Sequence, residues 1–527
     1  MESYDRGQLL GHAGKLAVAL GGGGILAACS SGSKQSATTQ RRTPTRATTT
    51  AHLPNAPLRG PTSAELRQLR RELGGRVVAR GQPGYNKSRL IYDTTFDNIK
   101  PQAIAYCRSL ADVEKTIRWA RKHGIRIVPR CGGHSYGGYS TTAQGVVVDV
   151  TRIKQINVRS GSATVGAGVP LISLYAALWK HRVTVPGGSC PTVGISGLAL
   201  GGGVGLSGRK MGTTADNIRQ VTIVTPTGKA LVCNANQNSD LYWACRGGGG
   251  GNFGIVTSFV FDTHPVGEVT TFFIEWPWGD AAEVIRKWQE VVPHGPDALF
   301  GLCSLASTGN PQGSPSVSSG GQFFGSESEL RSVLRPLLQI GAARPTFVRR
   351  NYLDAALYFA GCSGKTVPEC LQSGRSTFKA KSSYVLEPTK KAGIEALIRG
   401  VEERQRNAHL GGGGVILDSY GGAINKVPAA ATAFVHRNAI CSLQFYAGWE
   451  QSAPASVVQA NLRWITTYYA SVRPHVSKFA YQNYIDPSLA DWQQAYYGSN
   501  LARLVSIKRK YDPSNLFHFH QSIPTHL

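Results

Sequence analysis

Pro129-Arg130-Cys131-Gly132-Gly133-His134-Ser135-Tyr136-Gly137-Gly138 is the stretch on which the reading of this chain turns. Four glycines in ten residues present consecutive backbone N–H groups with little side-chain obstruction, and such nests bind phosphate oxygens. The same composition also suits a mere tight turn, so the flanks must decide. Upstream, Ser109 to His123 reads as a helix. Leu110, Val113, Ile117 and Ala120 recur at helical spacing, an acid sits in the first turn, Arg121 and Lys122 in the last, and Gly124 supplies the stop. An apolar strand, Ile125 to Val128, leads into the loop, and another, Val146 to Val150, follows it. Helix and strand signals alternate to about Pro265, which makes the first half α+β.

Two further glycine-rich segments lie downstream. Pro186-Gly187-Gly188-Ser189-Cys190-Pro191-Thr192-Val193-Gly194 leads to Gly201-Gly202-Gly203-Val204-Gly205, and Gly247 to Gly251 precedes Asn252-Phe253-Gly254-Ile255-Val256. Three such loops in one half imply more ligand contact with backbone than a mononucleotide needs. No G-x-G-x-x-G stands between a strand and a helix with an acid about twenty residues on, so this is not the Rossmann fingerprint. The second half differs. Strand-like runs at Thr271–Trp276, Ser383–Leu386, Val415–Tyr420, Ile440–Tyr446 and Phe479–Ile485 alternate with amphipathic helices such as Glu327–Ile340, which contains Pro336, and Ile394–Arg406. This predicts a second sheet backed by helices.

Composition bounds the rest. The 527 residues are 41% hydrophobic and 9% aromatic, enough for a large core and too much for wholesale disorder. Lys and Arg number 57 against 31 acids, a formal charge of +26. The basic residues are scattered, with no helix-turn-helix, zinc-finger or RNA-binding signature, so no nucleic-acid partner is expected. Residues 1–28 have the layout of an export signal, too short and glycine-rich for a membrane span. They end in Leu26-Ala27-Ala28-Cys29, which resembles the lipobox of bacterial lipoproteins, with ordinary cleavage as the alternative. Residues 29–60 read as a basic Ser/Thr/Pro-rich tether, and ten cysteines fit an oxidising compartment. With Cys29 removed or lipidated, nine remain, so at least one stays unpaired, and Cys190 in Ser189-Cys190-Pro191-Thr192-Val193-Gly194 is the candidate. Close spacing suggests Cys362–Cys370, Cys233–Cys245 and Cys107–Cys131 as bridges. No paired C-x-x-C occurs, and no metal site is expected.

Three motifs together resemble the berberine bridge enzyme-like branch of the FAD-linked oxidases, in the vanillyl-alcohol oxidase superfamily. They are PRCGGHSYGGYS from Pro129, GGSCPTVGISGLALGGGVG from Gly187 and YDPSNLFHFHQSIP from Tyr511, and they stand in that family's order. The resemblance spans roughly Tyr85 to Pro524. It implies a PCMH-type FAD-binding domain of two α+β subdomains over residues 61–267. A substrate domain with an antiparallel sheet backed by helices would follow at 268–490, and a tail, 491–527, would return to the FAD domain.

The resemblance also implies FAD held by two covalent bonds, from His134 to the flavin 8α carbon and from Cys190 to ring position 6. The cofactor would further touch Arg130, Cys131, Gly132, Gly133, Ser135, Tyr136 and Gly137. Contacts would continue at Gly194, Gly197, Gly202 and Gly203, and then at Gly254, Ile255, Val256 and Asn515. The tyrosine of Asn483-Tyr484-Ile485-Asp486 would be the catalytic base, assisted by the Asp418 carboxylate, with Gln444 touching substrate. A free tyrosine titrates near 10, so Tyr484 needs a neighbouring cation or a partner for its proton. Val193 matches the small gate residue of oxygen-reactive members, which favours an oxidase using dioxygen on a small-molecule alcohol, carbohydrate or secondary metabolite. Val204 and Met211 depart from many plant relatives, so their substrates do not transfer. A dehydrogenase on the same scaffold and a surface-tethered polyanion-binding protein remain as alternatives, and the oligomeric state stays open.

Overall fold

The computed structural model describes residues 58–407 and 409–527. The leader, Cys29 and nearly all of the tether therefore lie outside the described residues.

The helix Leu110–His123 forms as its sequence dictates. Ser109 Oγ accepts from the Asp112 N–H at 3.2 Å, and Gly124 closes the helix at φ 62°. The strand after it forms two residues later than expected, at Ile127–Arg130, because the Ile125 N–H still donates to Ala120 O at 2.8 Å and so completes the helix end. Ile127–Arg130 pairs in parallel with Val146–Asp149. That fully buried strand pairs in parallel with Ala103–Tyr106, and Val77–Ala79 adds an antiparallel edge. An apolar run with both faces covered is what a parallel sheet requires. A second, five-stranded antiparallel sheet runs in the order Ile156–Arg159, Ser162–Gly166, Ile255–Asp262, Ile218–Val224, Ala230–Asn234.

The second half builds a seven-stranded antiparallel sheet in the order Arg344–Asn351, Glu268–Trp276, Ser316–Phe323, Leu299–Ser307, Gly413–Ser419, Cys441–Gly448, Phe378–Val385. Alternation decides its faces. Leu305, Val415, Leu417, Leu443 and Phe445 point into a core with Val284, Leu334, Leu397 and Ile465 from four covering helices. The other face looks towards the first half. Pro336 is tolerated near the end of the helix Glu327–Leu338, which stops two residues short of the expected Ile340. The helix over the expected 394–406 runs Lys391–Gln405.

The expected strand at Phe479–Ile485 does not form. Gln482–Tyr484 is a short 3₁₀ turn, because Gln482 donates to Gly247 O and Asn483 to Leu198 O, pulling this segment onto the glycine loops. Beyond it, Tyr496, Leu504, Phe517 and Ile523 pack into the same core as the first-half sheets.

Cys362–Cys370 is a disulfide. The other two expected bridges are absent. Cys107 Sγ lies 3.7 Å from Thr116 Oγ1 and Cys131 donates to Ala167 O at 3.0 Å, so each thiol is held by its own surroundings. Cys233 and Cys245 remain buried thiols as well. Several cysteines outside bridges mean that odd parity does not single out Cys190.

Candidate functional site

A cavity of about 1420 Å³ runs between the glycine loops of the first half and the inner face of the seven-stranded sheet. Two of the loops interlock at its inner end. A Cβ on Gly132 would overlap Gly194 N, and one on Gly194 would overlap Cys131 Sγ, so this close crossing needs glycine at both places.

Most of the expected cofactor contacts line this cavity. Arg130, Cys131, Gly132, Gly133, His134, Ser135 and Tyr136 do so from the first loop. Cys190, Gly194 and Gly197 follow from the second, together with the expected oxygen-gate residue Val193, and Gly254, Ile255 and Val256 from the third. Gly137, Gly202, Gly203 and Asn515 are not among the residues that line it. Gly137 packs beneath the Tyr139 ring and Gly202 against Phe434, while the Gly203 N–H donates to Tyr481 Oη at 2.9 Å. Asn515 has φ 51° and a buried Oδ1 with no hydrogen-bond partner, and Phe517, His518 and Phe519 of the same tail line the cavity.

The residues present fit FAD. Gly197 has nothing within 4 Å of where a Cβ would stand, which leaves a backbone cradle open to the cavity. Arg130 is anchored by Asp149 at 2.6 Å and by Ser88 O at 2.8 Å, while its buried Nη1 has no hydrogen-bond partner. An orphaned cationic donor beside glycine backbone suits an anionic, phosphate-bearing ligand. His134 stacks on Tyr92, with ring centroids 4.0 Å apart, and its Nε2 lies 2.9 Å from Thr192 Oγ1. Burial pushes its pKa down to about 3, so the imidazole is neutral. Burial also pushes the Cys190 thiol up to about 11. Tyr92 lies outside the three motifs, and Thr192 lies within the second without a role that sequence reading gave it.

Several tyrosines also converge on the cavity. Tyr136 and Tyr484 stack at 5.3 Å with only 3° between their planes, and Gln444 Nε2 donates to Tyr136 Oη at 2.9 Å. Asp418 and Gln444 stand on neighbouring strands, where Asp418 faces Ser442 and Ile416 faces Gln444 in register. All of these face the cavity. Burial raises the Asp418 carboxyl to about 7, with Ser442 hydrogen bonding partly offsetting it. Burial first, and then the Asp418 charge, lift the Tyr484 phenol well above its usual range.

Asp486, the last residue of that motif, serves a different purpose. Burial alone would raise it, but Lys379 at 2.7 Å and Lys381 at 2.6 Å prevail and hold it at about 2. This pair of cations anchors the turn that carries Tyr484. Among the described residues no cluster of three or more His, Cys, Asp or Glu side chains is placed to hold a metal, and no helix is long and apolar enough to cross a membrane.

Residues 101–234 match the family model "FAD binding domain", and residues 480–524 match "berberine and berberine like". An FAD-linked oxidoreductase of Bacillus subtilis is 32% identical over 464 residues, 86% of this chain and 97% of its own. Among solved structures, the wild-type BBE-like 1 of Physcomitrella patens is 35% identical with a TM-score of 0.80, over 88% of this chain and 99% of its own. A chitooligosaccharide oxidase is 27% identical with a TM-score of 0.77, over 87% and 99%.

Proposed function

Because this chain belongs to the berberine bridge enzyme-like FAD-linked oxidoreductases, we propose that it is an oxidase of alcohols, with FAD bound through both His134 and Cys190 and with dioxygen reduced to hydrogen peroxide. The observation that carries the reading is that Tyr484, Asp418, His134 and Cys190 all line one cavity. When bound, the flavin supplies the hydride acceptor. Tyr484 takes the substrate hydroxyl proton as it passes its own phenol proton to the ionised carboxylate of Asp418, which is poised near neutrality. The stacked Tyr136, held by Gln444, fixes the plane of the Tyr484 ring. Val193 lines the cavity beside Cys190 with a small side chain, which supports access for dioxygen.

The inner face of the sheet favours a multiply hydroxylated substrate. One rung across five strands reads Gln444, Ile416, Ser304, Ser318, Glu275, and every member lines the cavity. Along the strand Cys441–Gly448, the same face carries Ser442, Gln444 and Tyr446, a span of about 13 Å. Ala306 and Gly414 leave the floor beside Tyr446 flat, and Trp449 stands at the outer end. Hydroxyls, a carboxamide and a carboxylate over a flat floor edged by aromatics suit sugar rings, and a structural relative is an oligosaccharide oxidase. The leader and Cys29 extend this proposal to an exported, lipid-anchored enzyme.

Anaerobic bleaching of the flavin by added saccharides tests the chemistry. Tyr484→Phe is expected to slow bleaching by about 100-fold or more while preserving the resting spectrum. A near-normal rate assigns the base elsewhere. Turnover without oxygen uptake favours the dehydrogenase alternative.

A further inference from the structure

Thr192 lies in the loop that carries Cys190, two residues beyond it, and it is not part of the cavity wall. Its hydroxyl nevertheless lies 2.9 Å from His134 Nε2. The Tyr92 ring covers one face of the imidazole and the Thr192 backbone also hydrogen-bonds the ring, so contacts from two segments fix where its nitrogens point. The interlocked Gly132 and Gly194 hold the two loops in register. A single turn therefore presents Cys190 and grips His134. No motif reading assigns Thr192 more than a place in a loop.

We propose that Thr192 is a positioning residue for covalent attachment of the flavin. Nε2–H of His134 donates to Thr192 Oγ1, which leaves the lone pair on Nδ1 and aims it at the 8α carbon. This rests on the reading that His134 is an attachment point. In the attachment step a bond forms between Nδ1 and the 8α carbon. That carbon loses one hydrogen and the imidazole loses its N–H proton. Both hydrogens, with two electrons, end on the flavin ring as its reduced form. Dioxygen from solution reoxidises the ring and is released as hydrogen peroxide. Burial favours the neutral imidazole that this step needs. A ring free to flip, or one in the other tautomer, presents the wrong nitrogen for part of the time.

The test uses Cys190→Ala, in which His134 is the sole remaining link, made as apoprotein in a riboflavin-starved host. FAD is added, samples are quenched with acid over time, and flavin is measured both before the quench and in the pellet. Thr192→Val in this background is expected to take up FAD but to attach it about tenfold more slowly, equivalent to ~1.4 kcal/mol of barrier. Thr192→Ser should restore most of the rate. Attachment at the parental rate in Thr192→Val overturns the proposal. Failure of that variant to take up FAD at all also overturns it, because Thr192 is then only structural. Complete loss of acid-stable flavin in Cys190→Ala itself defeats the parent reading that His134 is a covalent link, and this inference with it.

Discussion

Asp418 sits where burial raises its carboxyl to about 7, and its ionisation therefore falls within the working range. If the ionised form assists Tyr484, flavin reduction should quicken as pH rises through about 7, and Asp418→Asn should be slow and flat across that limb. The same shift has a sign for stability. A carboxyl raised on folding contributes most below its unfolded value near 3.9, and loses that contribution as pH climbs through about 7. Melting of the wild type should therefore fall between about pH 4 and 7 more than that of Asp418→Asn; equal slopes would contradict a buried, titrating Asp418. At this scale the sequence was informative wherever chemistry leaves a motif. His134, Cys190, Tyr484 and Asp418 all reach the cavity as the resemblance implied. Tyr92 and Thr192 were not legible, because one contact by stacking and one by a hydroxyl have no spacing rule.

Elements form where local signals agree, and shift where tertiary partners compete. The helix at Leu110–His123 was readable because cap, periodicity and stop all coincide. The segment Phe479–Ile485 alternates like a strand, yet Gln482 and Asn483 find carbonyls on the glycine loops and take it out of the sheet. The helix Leu501–Tyr511 shows the same dependence on distant groups. Its Lys508 is fully buried and donates to Asn252 O at 2.7 Å, Asp512 Oδ2 at 2.7 Å and Phe517 O at 2.6 Å. One ammonium thus joins the third glycine loop to the tail. Lys508→Met is expected to cost about 3–5 kcal/mol, because it leaves the Asp512 carboxylate buried with its cation gone. Denaturant unfolding measures this, and a loss under about 1 kcal/mol would show that the remaining N–H donors to Asp512 suffice.

For the whole molecule, we propose an FAD-binding unit of residues 61–267 completed by the tail 491–527, with residues 268–490 as the substrate domain. Tyr496, Leu504, Phe517 and Ile523 share the first-half core, which supports this division. Removal of residues 491–527 should therefore abolish flavin retention, and a yellow truncated protein would contradict the division. The sequence showed two halves of different character through its switch from three glycine loops to alternating strands and helices. It did not show that the sheet's polar inner face would roof the glycine loops, since that depends on register across strands far apart in the chain. The charge of +26 still has no role in the site, whose working groups are mostly neutral.

The central claim is that one FAD is joined to both loops, at His134 and at Cys190. The most direct measurement is the visible spectrum of the purified protein before and after acid precipitation, for wild type, His134→Ala, Cys190→Ala and the double variant. The account predicts yellow pellets from the wild type and from each single variant, and flavin released to the supernatant by the double variant alone. A colourless protein, or complete release by either single variant, would contradict it.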